Sequence, residues 1–571
     1  MRPRSLALVA GLLALTGAGQ AASKPIVRSP ALAVGTGMVS AADPRAAEAG
    51  AEMLRRGGTA ADAAFATLLA LNVVEPQSSG IGGGGYLVYS DHGGAAVTFD
   101  GRETAPHAAS GTWFYENGRP MEHEEAVPGG KSVGVPGNLR MMALAHQRYG
   151  RLPWAALFQP AIRLARDGFK ITPRLYNALN AGRRTGAMSS QARAIFYGSD
   201  GNPLPVGTLV RNPAFAAFLQ AVAERGADSF YIGPSAQAIV ATVDGSPLHP
   251  SRMTAGDIAS YSAKERAPVC GTYRGYRICG MGPSSSGGTT VFETLKQLER
   301  FNLSALGPDS PTSWHLIAES MRLAYADRDQ YLGDADYVPV PVAGLMDPTY
   351  LATRSALISA DRTMTAVSAG TPPGASKRTC TPVPVEERGT SHFVAVDGEG
   401  NVASETSTIE SVFGSGLMTN GFYLNNELTD FNIVPGKDGC LTANRVEGGK
   451  RPRSSMSPTI VWGPDGRVRL AVGAAGGATI PAQVLKAIIG VIDWHLTAQQ
   501  AIALPVIFAP GGDIVFLERG TFLEAMAPKL EALGHKVQVR EPSFKANAVE
   551  WVNGRWAGGA DPRSEGAAVA Q

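Results

Sequence analysis

Gly389-Thr390-Ser391-His392-Phe393 is the stretch whose reading decides the fold. A residue without a side chain precedes a hydroxyl, and that hydroxyl opens an alternating strand. The strand continues Val394-Ala395-Val396, turns at Asp397-Gly398-Glu399-Gly400, and returns through Asn401-Val402-Ala403 to Thr406 and Thr408. A backbone cut before Thr390 would leave one residue with both a nucleophilic hydroxyl and a free α-amine. Such an amine titrates at about pH 8 and can serve as a general base at neutral pH. A Thr hydroxyl is a weak nucleophile until a base of this kind sits beside it. Alone, a Thr heading a strand is an ordinary β-former, so the residues around it must carry the argument.

Working outward, Asp43-Pro44 starts a helix and Gly57-Gly58 stops it. A second helix, Ala60 to Leu71, carries Ala63, Phe65, Leu68 and Leu71 at helical spacing and runs into Val73-Val74-Glu75-Pro76. Strand patterns follow at Tyr86 to Tyr89 and Ala95 to Phe99, the latter ending at Asp100-Gly101-Arg102-Glu103. The stretch 135–330 reads as mostly helical, with one long amphipathic helix from Ser313 to Tyr331. Residues 361–388 have turn-rich composition and read as an exposed tail leading to Thr390. Beyond Thr390 come strands, a loop at 432–450, Gly/Ser-rich loops, a helix near 483–497 and a strand pair around 548–557. Two clusters of strands among helices predict a layered α+β fold with helices covering sheets on both sides.

With 571 residues, 44% hydrophobic, the chain can bury a large core. Its formal charge of +2, without a basic run, gives no support to nucleic-acid or anionic-membrane binding. Arg2 and Arg4, the apolar run Leu6 to Leu15, and small Gly19 and Ala21 predict a secretory signal over 1–21. An uncleaved anchor is the alternative; on the first reading the mature protein is periplasmic or secreted. Four cysteines fit an oxidising compartment. Cys270 and Cys279 flank a turn and can pair across a short hairpin, while a Cys380–Cys440 pair would tie two fragments together; all four could equally be buried thiols.

Several loops have the residue types to act together. Gly476-Gly477 follows a strand, and adjacent glycines let backbone N–H groups reach a substrate, as an oxyanion hole requires. Arg102 suits bidentate recognition of a carboxylate. Glu427 and Asp430, after Asn425-Asn426, offer acceptors for an ammonium, and Ser454-Ser455 offers hydroxyls. His392 alternates onto the same side as Thr390 but reads as structural. Gly80 to Gly85 follows a helix and precedes a strand, the reverse of a dinucleotide fingerprint. No spacing suggests a metal, and no cofactor is expected.

Together these residues resemble the γ-glutamyltransferase (glutathione hydrolase) family of self-cleaving N-terminal nucleophile hydrolases. The resemblance rests on Gly57 to Ala64, Glu75 to Gly85, Asp100 to Pro106, Pro283 to Gly288, Ala326-Asp327-Arg328 with Tyr331 to Asp334, and Gly389 to His392. It continues through Leu424 to Glu427, Arg451 to Thr459 and Asp561 to Ser564. The resemblance implies a four-layer αββα sandwich, built jointly by a large subunit, 22–389, and a small one, 390–571. It implies attack of Thr390 on the Gly389 carbonyl, then on a γ-glutamyl amide of a glutathione-like donor. The glutamyl group would pass to water, an amino acid or a peptide. Thr408 would steady the nucleophile, and Gly476 and Gly477 would hold the oxyanion. Arg102, Ser454 and Ser455 would hold the donor α-carboxylate, and Glu427 and Asp430 its α-ammonium. Many members carry Asn where this chain has Glu410; a third acid there can tighten ammonium binding, repel the α-carboxylate or mark another acyl donor. Crowded like charges raise each other's pKa, so one of the three acids is expected to be protonated. The loop 432–450 has no aromatic to cover the pocket, which predicts an open cleft. An acylase of glutaryl- or oxamate-like amides and a non-catalytic secreted binding protein are the alternatives.

Overall fold

A computed structural model describes residues 33–571 except 93, 377–379, 381–388, 438 and 543. The expected signal over 1–21, and the part of the tail nearest the Gly389–Thr390 bond, lie outside the described residues.

Two seven-stranded sheets form the centre. The first runs Ala567–Ala570, Met38–Ala41, Ser391–Val396, Val402–Thr408, Gly84–Ser90, Ala96–Asp100 and Lys264–Arg266. The second runs Val34–Gly35, Arg555–Ala560, Lys545–Val552, Val468–Ala475, Thr459–Trp462, Tyr276–Gly280 and Val269–Tyr273. Neighbouring strands are antiparallel throughout both sheets. Helices Pro44–Arg55 and Ala60–Val74 cover the first sheet, and Gly287–Leu298 and Ile480–Ile492 cover the second. The fold is thus an αββα sandwich of the α+β class.

The period of two along Ser391–Val396 builds the layers. Phe393 and Ala395 enter the core beneath the first helix pair. Val394 and Val396 join Met38, Trp462 and Val549 between the sheets. Strands from both sides of the 389–390 bond interleave in each sheet, so the two segments build one domain. The Ala60–Val74 helix begins at Thr59, whose side chain forms a capping box with Asp62. Cys270 faces Cys279 across the Val269–Tyr273 and Tyr276–Gly280 hairpin, and the two form a disulfide. Cys380 is joined to Cys440.

Two expectations need correction. The Pro311–Tyr331 helix is buried on almost every face instead of being amphipathic. Its polar residues are matched inside the protein, as in the Arg322–Glu319 pair at 2.7 Å and the Arg354–Asp327 pair at 3.3 Å. The helix expected near 483–497 spans Ile480–Ile492, starting earlier because Pro481 suits a first turn. Among the described residues, no helix is long and apolar enough to cross a membrane.

Candidate active site

Thr390 sits at the head of Ser391–Val396, opposite the end of Val402–Thr408, because antiparallel register pairs Ser391 with Ser407. Its hydroxyl lies against the Gly389 carbonyl oxygen and donates to Thr408 Oγ1 at 3.4 Å. Thr408 Oγ1 also accepts from the Glu410 amide at 2.8 Å and donates to the Gly389 carbonyl at 3.2 Å. One hydroxyl, that of Thr408, therefore bridges the Thr390 hydroxyl and the Gly389 carbonyl. Gly389 has φ +74°, and a Cβ there would meet the Glu410 carbonyl oxygen at 2.1 Å. Only glycine fits this approach.

Gly476 and Gly477 end the Val468–Ala475 strand and lead into Ile480–Ile492. The unpaired N–H groups of a helix start point toward the side where the strand ends. Gly477 lines a small cavity of about 10 Å³ together with Thr390, Thr408, Arg102, Glu410, Glu427, Asp430, Ser454, Met456 and Ile480. Gly476, the residue before Gly477, is not among the lining residues; its carbonyl accepts from Thr479 Oγ1 at 2.8 Å.

The charged wall comes from two loops. Glu427–Asp430 is a 3-10 turn, in which side chains at i and i+3 eclipse, so both carboxylates face the same way. Arg102, in the loop after Ala96–Asp100, forms ion pairs with both. Its guanidinium also donates to the Pro452 carbonyl through Nε and the Arg453 carbonyl through Nη2, each at 3.1 Å. Burial opposes the Arg102 charge, but Glu427 and Asp430 outweigh it and hold the guanidinium pKa well above its usual value. Glu103 lies alongside, its Oε2 3.9 Å from Arg102 Nη1. Burial pushes its carboxyl up to about 7, against the pull of Arg102. Burial, with Arg102 again opposing, raises Glu427 well above the carboxylate range. Acid crowding was expected to favour protonation; burial is the larger cause.

The sequence-derived candidates are mostly brought together, with differences. Arg102 is paired with the very acids assigned to the other end of the ligand. Glu410 has a left-handed backbone, φ +72°, and its carboxylate accepts from Asn426 Nδ2 and Ser411 Oγ. Ser454 Oγ accepts from the Met456 amide at 3.1 Å, whereas Ser455 turns to Arg328 and does not line the cavity. His392 fits between the sheets: a Cβ on Gly473 would meet its ring at 2.3 Å, and burial lowers its pKa to about 3. The expected open cleft is not seen. No residue of 432–450 lines the cavity, yet Thr390 is only 4% exposed, because Gly389, still joined to it, forms one wall. Glu103 is the site residue that the sequence reading misses; its place next to Arg102 in the chain is the signal that could have found it. Among the described residues, no group of His, Cys, Asp or Glu is arranged to hold a metal.

A hydroxyl at a strand head, between two antiparallel sheets under helices, defines the class of N-terminal nucleophile hydrolases. Residues 46–571 match the family described as gamma-glutamyltranspeptidase, and the chain belongs to that family. It is similar to the glutathione hydrolase proenzyme of Bacillus subtilis (strain 168), 37% identical over 93% of this chain and 91% of that one. It is also similar to the acylase ACY 1 proenzyme of Pseudomonas sp. (strain V22), 35% identical over 94% and 93%. Among solved structures, cephalosporin acylase from Bacillus halodurans aligns with a TM-score of 0.84 at 27% identity, covering 97% of this chain and 99% of that one. The chain is therefore an enzyme of γ-glutamyltransferase type, which sets aside the reading as a binding protein.

Proposed function

We propose that the chain is exported to the periplasm or medium, cuts itself between Gly389 and Thr390, and then hydrolyses or transfers γ-glutamyl groups. The observation that carries this reading is the Thr390 hydroxyl against the Gly389 carbonyl, with Thr408 bonded to both. Attack of Thr390 Oγ on that carbonyl carbon and departure of the Thr390 nitrogen convert the amide to an ester. Water hydrolyses the ester, leaving a Gly389 carboxylate on the large subunit, 22–389, and a free Thr390 amine on the small one, 390–571.

In turnover the Thr390 hydroxyl attacks the γ-carbonyl of a glutathione-like donor while its own amine takes the proton. The amine returns that proton to the leaving amine. Water or an amino acid then attacks the acyl ester, releasing glutamate or a new γ-glutamyl amide. Gly476 and Gly477 amides face the developing oxyanion. The donor's zwitterion trades places with the internal ion pairs: its α-carboxylate takes Arg102 and Ser454, with Ser455 holding this segment from behind. Its α-ammonium takes Glu427 and Asp430, with Glu410 near. No cofactor enters the scheme.

Wild type and Thr390→Ala compared on a chromogenic γ-glutamyl anilide test the reading; equal release would remove Thr390 from the mechanism. Glu410 and the similarity to the ACY 1 proenzyme favour one second reading, an acylase of other amides. A glutaryl anilide, which lacks the α-ammonium, separates the two: preference for it selects the acylase.

A further inference from the structure

A second buried charge cluster touches the nucleophile's neighbour without lining the cavity. Lys545, the first residue of Lys545–Val552, reaches across from the second sheet. Its Nζ donates to Glu75 Oε2 at 2.7 Å, Ser391 Oγ at 3.1 Å and Ser78 Oγ at 3.3 Å. An ammonium has three donors, and each has a separate acceptor here. Ser391 Oγ in turn donates to the same Glu75 oxygen at 3.0 Å. Glu75 caps the Ala60–Val74 helix, and Arg174 Nε stands 3.2 Å from its other oxygen. Lys545 and Glu75 are each 3% exposed as side chains.

The elements joined are those that shape the site. Lys545 pairs in register with Ala475, the residue before Gly476-Gly477. The Ser78 carbonyl accepts from the Ile409 amide, next to Thr408. Ser391 follows the nucleophile. We infer that Lys545 is a positioning residue for Thr390: with Glu75 it clamps Ser391, and through Ser391 it fixes the new chain end against the strand leading to Gly476-Gly477.

This rests on the proposed cut. Before it, Thr390 is held by the peptide on both sides. Afterwards its covalent tether runs through Ser391 alone, and the Ser391 hydroxyl is the first side-chain anchor along that tether beyond the contact of Thr390 itself with Thr408. The charged groups facing Lys545 are Glu75, Arg174 and Asp43. Burial lowers Lys545 to about 8, while Glu75 raises it. At neutral pH the clamp is therefore charged, and it weakens as pH rises past that value.

The test compares wild type, Thr390→Ala, Lys545→Met and the double variant Lys545→Met/Glu75→Leu. Cleavage, thermal midpoint, and the pH dependence of kcat and KM for a γ-glutamyl anilide are measured. Displacing a reacting group by about 1 Å costs on the order of 100-fold in rate. Lys545→Met is expected to lower kcat by about 10- to 100-fold, with KM little changed. Slowed self-cleavage in a folded chain counts the same way, since the same hydroxyl makes both attacks. The double variant removes both members of the fully buried pair and leaves only Arg174, whose side chain is 30% exposed and can turn to water; it is expected to regain most of the wild-type midpoint but not kcat. It is also expected to lose any alkaline fall in kcat seen in wild type near the Lys545 value. Wild-type kcat in the double variant, or in a folded Lys545→Met chain, would overturn the inference. Equal activity of wild type and Thr390→Ala would instead overturn the proposed function.

Discussion

Two buried charge clusters flank Thr390, and they are built differently. The one lining the cavity sets a single guanidinium, Arg102, against Glu103, Glu427 and Asp430, with Glu410 nearby. The one joined through Ser391 sets Lys545 and Arg174 around one carboxylate, Glu75. In the first, acids outnumber the cation, and burial pushes the carboxyls of Glu103 and Glu427 toward their protonated forms. In the second, burial works to raise Glu75, but Lys545 and Arg174 outweigh it and hold the carboxylate below its usual value. An acid-rich cluster can take up a ligand ammonium as a further cation; one in which the cations already outnumber the acid has no such place and serves as scaffold. The same low dielectric penalises unpaired charge in both.

Mutations can break this contrast. Thr390→Ala carries the largest expected effect: no fragment beginning at residue 390, and anilide release lowered by more than about 1,000-fold, read by gel and initial rates. Next comes Arg102→Lys, which keeps the charge but loses the planar fork that meets two carboxylates. KM is expected to rise by about 100-fold, a loss of roughly 3 kcal/mol, with a smaller change in kcat. Glu103→Gln tests the acid-rich cluster through stability. The folded carboxyl titrates at about 7, above its ordinary 4.5, so the folded state keeps a proton that the unfolded chain has released. This contribution is complete below about pH 4.5 and is lost as pH climbs to about 7. It amounts to at most roughly 3 kcal/mol. Urea unfolding at the two pH values is expected to show that loss in wild type and a flatter profile in Glu103→Gln. The smallest effects distinguish the serine pair: Ser454→Ala is expected to raise KM several-fold, and Ser455→Ala, facing Arg328, by less. An equal rise for both would place Ser455 at the ligand.

Much of this was legible in the sequence. The alternation of Ser391–Val396 assigns Phe393 and Val394 to opposite layers, and the cap at Asp43 and stop at Gly57 bound a helix, because both signals are local. Arg102, Glu427 and Asp430 could be gathered through motif resemblance. Their direct pairing could not, since it depends on how two loops more than three hundred residues apart in sequence pack together. Lys545 gave no signal at all: a single lysine opening a strand looks like a solvated end until Glu75 and Ser391 close over it. The burial of Pro311–Tyr331 was hidden for a related reason, since polar residues matched within the core look the same in sequence as polar residues facing water.

The central claim is that scission before Thr390 creates the catalytic group. N-terminal sequencing and intact mass of the smaller fragment in fully active material test it most directly. The account predicts Thr390 as the first residue, with activity appearing in step with that fragment. Full activity in a chain still continuous through Gly389-Thr390 would contradict it.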